Sequence, residues 1–373
     1  LLWEDEFYED GTSIASRIAT LVPQVEPRLV AAMAINARSL MHLRHVPLLL
    51  VREMARHKTH RPYVRAALAS VIQRPDELSE FLAIYWRDKK VPVAKSVQSG
   101  LADAFTKFNA YSLAKYNRDG AIKLRDVLFL CHAKPIDAEQ AATFKQLVDG
   151  TLPVPDTWEV GISATKDKKA EWTRLLQEDK LGPLALIRNL RNMIQADVPD
   201  TLISDALKTM KGDRVLPFRF IAAARHAPRF VSELDGALLR NLEGYPKMRG
   251  KTIVLVDVSG SMNAALSAKS DMQRIDVACG LAVLCRELCE TVSVFSFSLR
   301  LVEVPSYRGL ALGDAINKSQ GHSSTMLGSA VSAINQQSYD RLIVITDEQS
   351  HQIVSGPSGK GYIIWNSKNF SDF

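Results

Sequence analysis

The stretch TIVLVDVSGSM, residues Thr252–Met262, decides the fold of the C-terminal third of the chain. It opens with the apolar, β-branched run TIVLV, which is typical of a strand buried on both faces of a sheet, and it ends in a turn rich in hydroxyl groups. Later segments alternate between helix-like and strand-like patterns: Arg274–Leu288, Val292–Phe297, Met326–Gln336, Arg341–Thr346 and Gly361–Trp365. This alternation predicts a doubly wound α/β domain with a parallel sheet.

The preceding 250 residues have a different pattern, that of one helix after another. Eight prolines recur in two groups at intervals of 11 to 18 residues: Pro47, Pro62, Pro75 and Pro92, then Pro183, Pro199, Pro217 and Pro228. Because proline is tolerated in the first turn of a helix and poorly elsewhere, these positions predict helix starts. The pattern predicts a mainly α protein: a HEAT-like helical repeat domain at residues 1–250, interrupted at 150–166, and the α/β domain at 251–373.

The net charge of the chain, +6 over 373 residues, is unevenly distributed. Residues 1–250 hold 37 Lys and Arg against 30 Asp and Glu, whereas residues 251–373 hold 10 against 11. An excess of positive charge confined to the helical region favours a polyanionic partner there. A basic cluster on a helical array is more often a solvated face, so the excess alone does not identify nucleic acid as the partner.

Composition and cysteine spacing argue against several classes of protein. With 46% apolar and 24% charged residues the chain is globular, and it contains no apolar run long enough to cross a bilayer. The acidic opening LLWEDEFYED predicts no cleavable leader, so a cytoplasmic location and no membrane partner are expected. No two cysteines form a CxxC pair, and we expect reduced core thiols instead of a zinc site or a disulfide. They are Cys131, Cys279, Cys285 and Cys289.

The turn after the first strand carries the pattern of a metal site. Asp257, Ser259 and Ser261 stand two residues apart, Thr325 precedes a predicted helix, and Asp347 follows a predicted strand. In doubly wound sheets all these positions lie at the carboxyl edge, where ligands bind. Ligands that are all oxygen suit a hard ion such as Mg²⁺ better than Zn²⁺. The alternative is that the serines merely cap a turn.

The order D-x-S-x-S, then Thr, then a strand-terminal Asp resembles the metal-ion-dependent adhesion site of von Willebrand factor A domains. The resemblance implies that Ser259, Ser261 and Thr325 coordinate the ion directly, while Asp257 and Asp347 act partly through water. A nucleophilic serine does not fit, because the glycines of a G-x-S-x-G elbow are missing, and no phosphate-binding G-x-x-x-x-G-K-[ST] loop is present. We therefore interpret the chain as a binding protein and not an enzyme.

Three segments of the helical region, followed by DVSGSM, resemble the Ro 60 kDa autoantigen family, whose shared helical portion is the TROVE domain and whose bacterial members are the Ro-sixty-related proteins. The segments are KYNRDGAIKLRDVLFLCHAKP (Lys115–Pro135), LIRNLRNM (Leu186–Met193) and LPFRFIAAAR (Leu216–Arg225). The resemblance covers essentially the whole chain. It implies a ring of HEAT-like repeats closed by the A domain, with a positively charged hole.

The same resemblance implies two RNA sites. Y-type small noncoding RNA binds the outer surface in this family, through a K-Y-x-x-R stretch and the His of H-x-K-P. These positions fall on Lys115 and His132, whereas the arginine, Arg118, is displaced by one residue. Single-stranded 3′ ends of misfolded or structured RNA enter the hole, to which we assign Arg61, Lys90 and Lys95 from their place in basic turns.

As partners, the resemblance implies these RNAs and an exoribonuclease such as polynucleotide phosphorylase, in RNA quality control and decay. A monomer is expected. A second hypothesis stays open at this point: a helical scaffold whose A domain binds protein carboxylates through Mg²⁺, with incidental basic stretches.

Overall fold

The computed structural model describes residues 11–212, 215–266, 271–347, 352–356, 358 and 361–366. It confirms a mainly helical chain that ends in a small mixed sheet. Packing of the backbone divides the chain into two compact units between Val160 and Gly161, within the segment predicted as an interruption. Among the described residues no helix combines the length and the apolar character needed to cross a membrane.

The first unit is built from short helices that pack in two layers. Its helices are α1 (Gly11–Leu21), α2 (Pro27–Ser39), α3 (His45–Arg56), α4 (Arg61–Val71), α5 (Asp76–Tyr85), α6 (Lys95–Phe105), α7 (Ala110–Tyr116), α8 (Leu124–Cys131) and α9 (Ala138–Asp149), and α10 (Trp158–Ala164) spans the division. Helices α2, α4, α6 and α8 pack each on the next, while α1, α3 and α5 form a second row. Such alternate packing is typical of helical repeats.

Most of the prolines stand at helix starts as predicted, whereas Pro92 lies three residues before α6. Pro62 lies in the first turn of α4, and Pro75 directly precedes α5. In the second unit Pro183 and Pro217 are the first residues of their helices. Apolar side chains at helical spacing then fill a single core in the first unit, including the fully buried Leu68 and its neighbours Val64 and Val71.

The second unit combines six helices with the sheet domain. The helices are α11 (Lys168–Gln177), α12 (Pro183–Arg188), α13 (Leu190–Gln195), α14 (Asp200–Thr209), α15 (Pro217–His226) and α16 (Val231–Leu242). The sheet domain contains β1 (Met248–Asp257), α17 (Arg274–Leu288), β2 (Cys289–Phe297), β3 (Leu301–Val304), α18 (Gly309–Asn317), α19 (Leu327–Ile334), β4 (Arg341–Thr346) and β5 (Gly361–Asn366). Because α15 packs on α17, packing in this unit crosses residue 250, and the domain boundary at 250/251 stays a prediction.

The sheet has the strand order β3-β2-β1-β4-β5. Strands β1, β2, β4 and β5 are parallel as predicted, and the short edge strand β3 is antiparallel to β2. Helix α19 covers the face that carries Ile253 and Leu255, and α17 packs against β1, β2 and β4. Strands β2 and β4 lie on opposite sides of β1, so the order of the strands switches from one side of the sheet to the other between β1 and β4. In such folds, ligands bind at the carboxyl ends of the strands at this switch point.

Candidate functional site

Two buried aspartates lie at the carboxyl edge of the sheet, at the ends of neighbouring strands. Asp257 is the last residue of β1, and Asp347 directly follows β4. Both are fully buried. The parallel pairing of β1 with β4 therefore brings together two carboxylates that are 90 residues apart in the sequence.

Asp257 organises the turn that follows it. Its Oδ1 accepts a hydrogen bond of 2.8 Å from the backbone N–H of Ser259, and its Oδ2 accepts one of 2.6 Å from the hydroxyl of Thr346. Burial raises the pKa of the Asp257 carboxyl and the nearby Asp347 carboxylate raises it further, while the hydrogen bonds from Ser259 and Thr346 act in the opposite direction. The charge at this position is therefore one that a cation would stabilise.

The predicted hydroxyl ligands stand next to these carboxylates. Ser259 is buried and its Oγ lies 3.2 Å from Oγ of Ser261, which is in the 3₁₀ turn Gly260–Asn263. The turn is tied to the loop before α19, because the N–H of Gly260 donates to the carbonyl of Ser323. Thr325, two residues further along this loop, is also buried. Hydrogen bonds thus link three of the five predicted ligands, Asp257, Ser259 and Ser261, while Asp347 lies at the end of the neighbouring strand and Thr325 on the adjoining loop.

The sequence analysis missed one charged residue of this site, Arg274. It is the first residue of α17, and its Nη1 lies 2.7 Å from Oδ2 of Asp347 and 3.4 Å from the carbonyl of Ser261. Oδ1 of Asp347 is buried and has no hydrogen-bond partner among the described residues. The available signal was a cation in the first turn of a helix, where the helix dipole disfavours positive charge.

The donor set fits a hard divalent ion. All the candidate ligands are oxygens, two hydroxyls lie within hydrogen-bond distance of each other, and the buried Oδ1 of Asp347 has an unused acceptor position. Within the described ranges no group of three or more His, Cys, Asp or Glu is arranged so that it could hold a metal ion. The four cysteines are buried and free as predicted, and burial raises the pKa of Cys131 to about 11, which disfavours the thiolate that zinc requires. Mg²⁺ binding stays a prediction.

The residues predicted to contact folded RNA lie near the C-terminal ends of α7 and α8. Lys115 is in the last turn of α7, with Nζ 5.9 Å from the centre of the Tyr116 ring, and Arg118 is exposed in the loop that follows. His132 is exposed and ends α8 with a left-handed backbone, φ 53°. A shallow cavity beside it is also lined by the exposed Phe129 and by Lys145, which the sequence analysis did not single out.

The residues assigned to the hole also have exposed side chains. Arg61 starts α4 and its Nε donates to the carbonyl of Ala55 at 3.2 Å. The Nζ of Lys90 lies 5.3 Å from the centre of the Trp86 ring, and Lys95 is the first residue of α6. Their positions are consistent with contact to a polyanion, and their RNA roles stay predictions.

Several basic side chains near Arg61 are paired or buried, and they are therefore less available to contact a polyanion. Arg56 pairs with Asp88 and Glu53, and Arg65 makes a bidentate pair with Asp103. His60, in the same basic stretch, is only 1% exposed. Within residues 56–65, the charges of Arg56 and Arg65 are therefore neutralised in the fold, because Asp88 and Asp103, more than 30 positions away in the sequence, pack beside them.

A layered helical-repeat region with exposed cations, followed by an α/β domain with an oxygen-lined turn, defines a class of helical-repeat protein with a C-terminal α/β domain. The TROVE domain matches residues 3–151 and 150–242. The chain belongs to the TROVE domain family. The predicted resemblance to the Ro 60 kDa autoantigen family is thereby confirmed.

Two individual proteins show how far the likeness extends. The crystal structure of the Ro (RSR) protein of Deinococcus radiodurans matches with a TM-score of 0.67 and 20% identity, covering 91% of this chain and 82% of that one. The fold is therefore shared along nearly the whole chain. Telomerase protein component 1 of Rattus norvegicus is 22% identical over 312 residues, which is 60% of this chain but only 12% of that protein.

Proposed function

We propose that this chain is a non-catalytic protein that binds Y-type small noncoding RNA through the outer surface of its helical region. A second site holds single-stranded ends of misfolded or structured RNA, and the protein acts as a cytoplasmic monomer in RNA quality control and decay. Its partner in decay is an exoribonuclease such as polynucleotide phosphorylase.

The observation that carries this proposal is the pairing state of the basic side chains. Within the described part of the chain, none of the five cations predicted to contact RNA makes an ion pair: Arg61, Lys90, Lys95, Lys115 and Arg118. By contrast, Arg56, Arg65 and Arg74 are all paired with carboxylates. Phosphates bind best to cations whose charge is not already neutralised, so the unpaired group is the one suited to RNA.

The chemistry around His132 suits an unpaired base of a folded RNA. An exposed aromatic ring offers a stacking surface, and Phe129 is 58% exposed beside His132. Lys115 and Arg118 suit phosphates, because ammonium and guanidinium groups donate to phosphate oxygens without reading sequence. Arg74 lies 4.8 Å from the Tyr116 ring centre, on which Lys115 also packs, and this stacking limits the motion of the ring beneath the proposed phosphate contact.

The second site has the features of a single-strand surface. Trp86 is partly exposed, its indole N–H donates to the carbonyl of Val91 at 2.8 Å, and Lys90 packs over its ring. An aromatic ring held in place beside lysines can stack a base while the ammonium groups contact the backbone. These contacts support binding of single strands in the region of Lys90 and Lys95.

A paired titration tests the two-site proposal. The variant Lys115→Ala/His132→Ala removes one phosphate contact and one base contact. At about 1–3 kcal/mol per contact, or about 2–6 kcal/mol together, its affinity for a folded Y-like RNA should fall by about 30-fold to about 10,000-fold. Its affinity for a single-stranded tail should change much less. The matched control is Lys123→Ala, a nearby lysine already paired with Asp119 at 2.7 Å, which should bind both RNAs as the wild type does. Equal losses on both ligands would mean one undivided RNA surface.

The A-domain site is proposed to hold Mg²⁺ through Ser259, Ser261 and Thr325, with Asp257 and Asp347 acting partly through water. The ion would supply a Lewis-acidic position able to take a carboxylate from another molecule. The unused oxygen of Asp347 favours a bound cation, and a cation there would permit the second candidate function, a scaffold that captures protein carboxylates. Binding of RNA that survives a chelator supports the first function, whereas a protein partner lost on chelation, with no RNA shift, supports the second.

A further inference from the structure

We propose that Arg274 is a built-in competitor for the metal site: its guanidinium neutralises Asp347 when no ion is bound and must leave before a divalent cation binds. This inference rests on the proposed metal site. Its starting point is the short contact between Nη1 of Arg274 and Oδ2 of Asp347, 2.7 Å, together with the 3.4 Å approach of the same nitrogen to the carbonyl of Ser261.

Arg274 and Asp347 are buried to different extents, and this difference determines which side chain moves when a metal ion binds. The Asp347 side chain is fully buried at the end of β4, whereas the Arg274 side chain is 20% exposed. A buried carboxylate without a counter-charge is strongly destabilising, so Asp347 needs a cation in the folded protein. A partly exposed arginine can reach water by rotating its side chain, while Asp347 is fixed by the strand.

One guanidinium does not fully match the charge of the site. Two carboxylates lie here, Asp257 and Asp347, and Arg274 bonds only the Oδ2 of Asp347 while Oδ1 keeps no partner among the described residues. A divalent ion carries twice the charge and can be reached through water or directly by several oxygens. A divalent metal ion therefore neutralises the two carboxylates more fully than Arg274 does, but its binding requires that the ion pair between Arg274 and Asp347 be broken.

The N-terminus of α17 does not stabilise the arginine at position 274. Its position in the first turn of α17 is unfavourable for a cation, because the helix dipole is positive there. The start itself is capped by Asp276, whose Oδ2 accepts the N–H of Gln273 at 2.8 Å, independently of Arg274. Removal of the arginine side chain should therefore leave α17 formed and affect mainly the charge at Asp347.

Calorimetric titration of the full chain with MgCl₂, repeated with MnCl₂, tests the inference. Arg274→Gln should bind either ion about tenfold more tightly than the wild type or better, because no ion pair has to be broken. Without metal the variant should melt at a lower temperature than the wild type, and saturating Mg²⁺ should raise its melting temperature by more than it raises that of the wild type.

Three further variants keep the test decisive. Arg308→Gln removes an ion pair with Glu287 at the opposite end of α17 and should leave metal affinity unchanged. If Arg274→Gln does not fold without metal, Arg274→Lys, which keeps a cation of shorter reach, should show an intermediate gain. Equal or weaker metal binding by the Arg274 variants, with wild-type binding still abolished by Ser259→Ala, overturns the competitor role and leaves the metal site standing. No binding by any variant overturns the metal site and the inference with it.

Discussion

Glu77 shows at the scale of one residue how a buried charge joins separate parts of the helical region. It is completely buried at the start of α5, and its Oε2 accepts the backbone N–H groups of Gln73 and Arg74 at 2.7 and 3.0 Å. Its Oε1 accepts from Arg38 on α2, whose Nε in turn donates to the carbonyl of Val71. One carboxylate therefore connects α2, the end of α4 and the start of α5.

Replacing Glu77 should strongly destabilise the first unit. Glu77→Ala leaves the buried Arg38 without its counter-charge and frees two backbone N–H groups, so we expect the free energy of unfolding to fall by about 3–5 kcal/mol. Urea denaturation followed by circular dichroism measures this loss. The control is Arg65→Ala, which breaks an exposed pair with Asp103 and should cost less than about 1 kcal/mol. Similar losses in the two variants would contradict the assigned role of burial.

Cys131 should be unreactive in the folded protein. Burial raises the pKa of its thiol to about 11, and the thiolate is the nucleophile in alkylation. At pH 8 iodoacetamide should therefore label Cys131 in urea-unfolded protein and hardly at all in native protein, as measured by peptide mass spectrometry. Because the unfolded thiol ionises from about pH 8.5 while the folded one stays protonated, this residue should also lower the free energy of unfolding as pH rises from about 8.5 towards 11. Rapid native labelling would show that the segment opens readily.

At the scale of the element, helices α15 and α17 of the second unit pack closely against each other. A Cβ added at Gly280 of α17 would stand 2.8 Å from the backbone nitrogen of Phe218 and 2.9 Å from its Cβ. Helices can approach this closely only where one of them lacks a side chain. Phe218 itself is buried, so this contact anchors α15 on the sheet domain.

Gly280→Ala should therefore destabilise the protein despite the better helix propensity of alanine. Forcing α15 and α17 apart should lower the free energy of unfolding by about 1–3 kcal/mol. Gly313→Ala in α18 is the matched control, because its added Cβ meets Cys279 at 3.5 Å and Ile221 at 3.7 Å, which is ordinary contact. That variant should be neutral or gain up to about 1 kcal/mol from helix propensity. Chemical denaturation of both compares them, and a tolerated Gly280→Ala would contradict the tight crossing.

The sequence was sufficient for those elements whose signal is local. Proline in a first turn marked α4, α12 and α15, and continuous apolar runs marked β1, β2 and β4. Strand β3 was missed because it has only four residues, of which Val304 alone is buried. Its pairing with β2 depends on the partner strand more than on its own composition.

In the candidate site, too, features with a local sequence signal could be predicted, and features that depend on distant residues could not. The positions of the five predicted ligands follow from strand ends and helix starts, and their binding of a metal stays a prediction. The role of Arg274 and the hydrogen bond from Thr346 to Asp257 could not, because they depend on which way side chains point across neighbouring elements. Likewise, the pairing of Arg65 with Asp103, 38 residues away, is set by the packing of α4 on α6.

At the scale of the whole molecule, charge and metal chemistry lie in different parts of the sequence. The basic excess lies within residues 1–250, whereas all five predicted metal ligands lie beyond residue 251, where acidic residues slightly outnumber basic ones. If RNA is held by phosphate contacts, its affinity should depend on salt and hardly at all on the metal site.

The variant Ser259→Ala should therefore bind RNA within about twofold of the wild type, and chelation by EDTA should likewise leave RNA affinity nearly unchanged. Raising the salt concentration should lower the RNA affinity of the wild type and of Ser259→Ala in parallel. Each phosphate contact with a single strand contributes about −0.7 to the slope of log K against log salt. Lys95→Ala, which removes one proposed contact, should flatten the slope for a single-stranded tail by about that amount. Filter-binding titrations over a range of salt concentrations measure all three proteins. A large loss of RNA affinity on Ser259→Ala or on chelation, with the fold intact by circular dichroism, would mean that the metal site itself takes part in holding RNA, because no cation of the helical region is altered by either change.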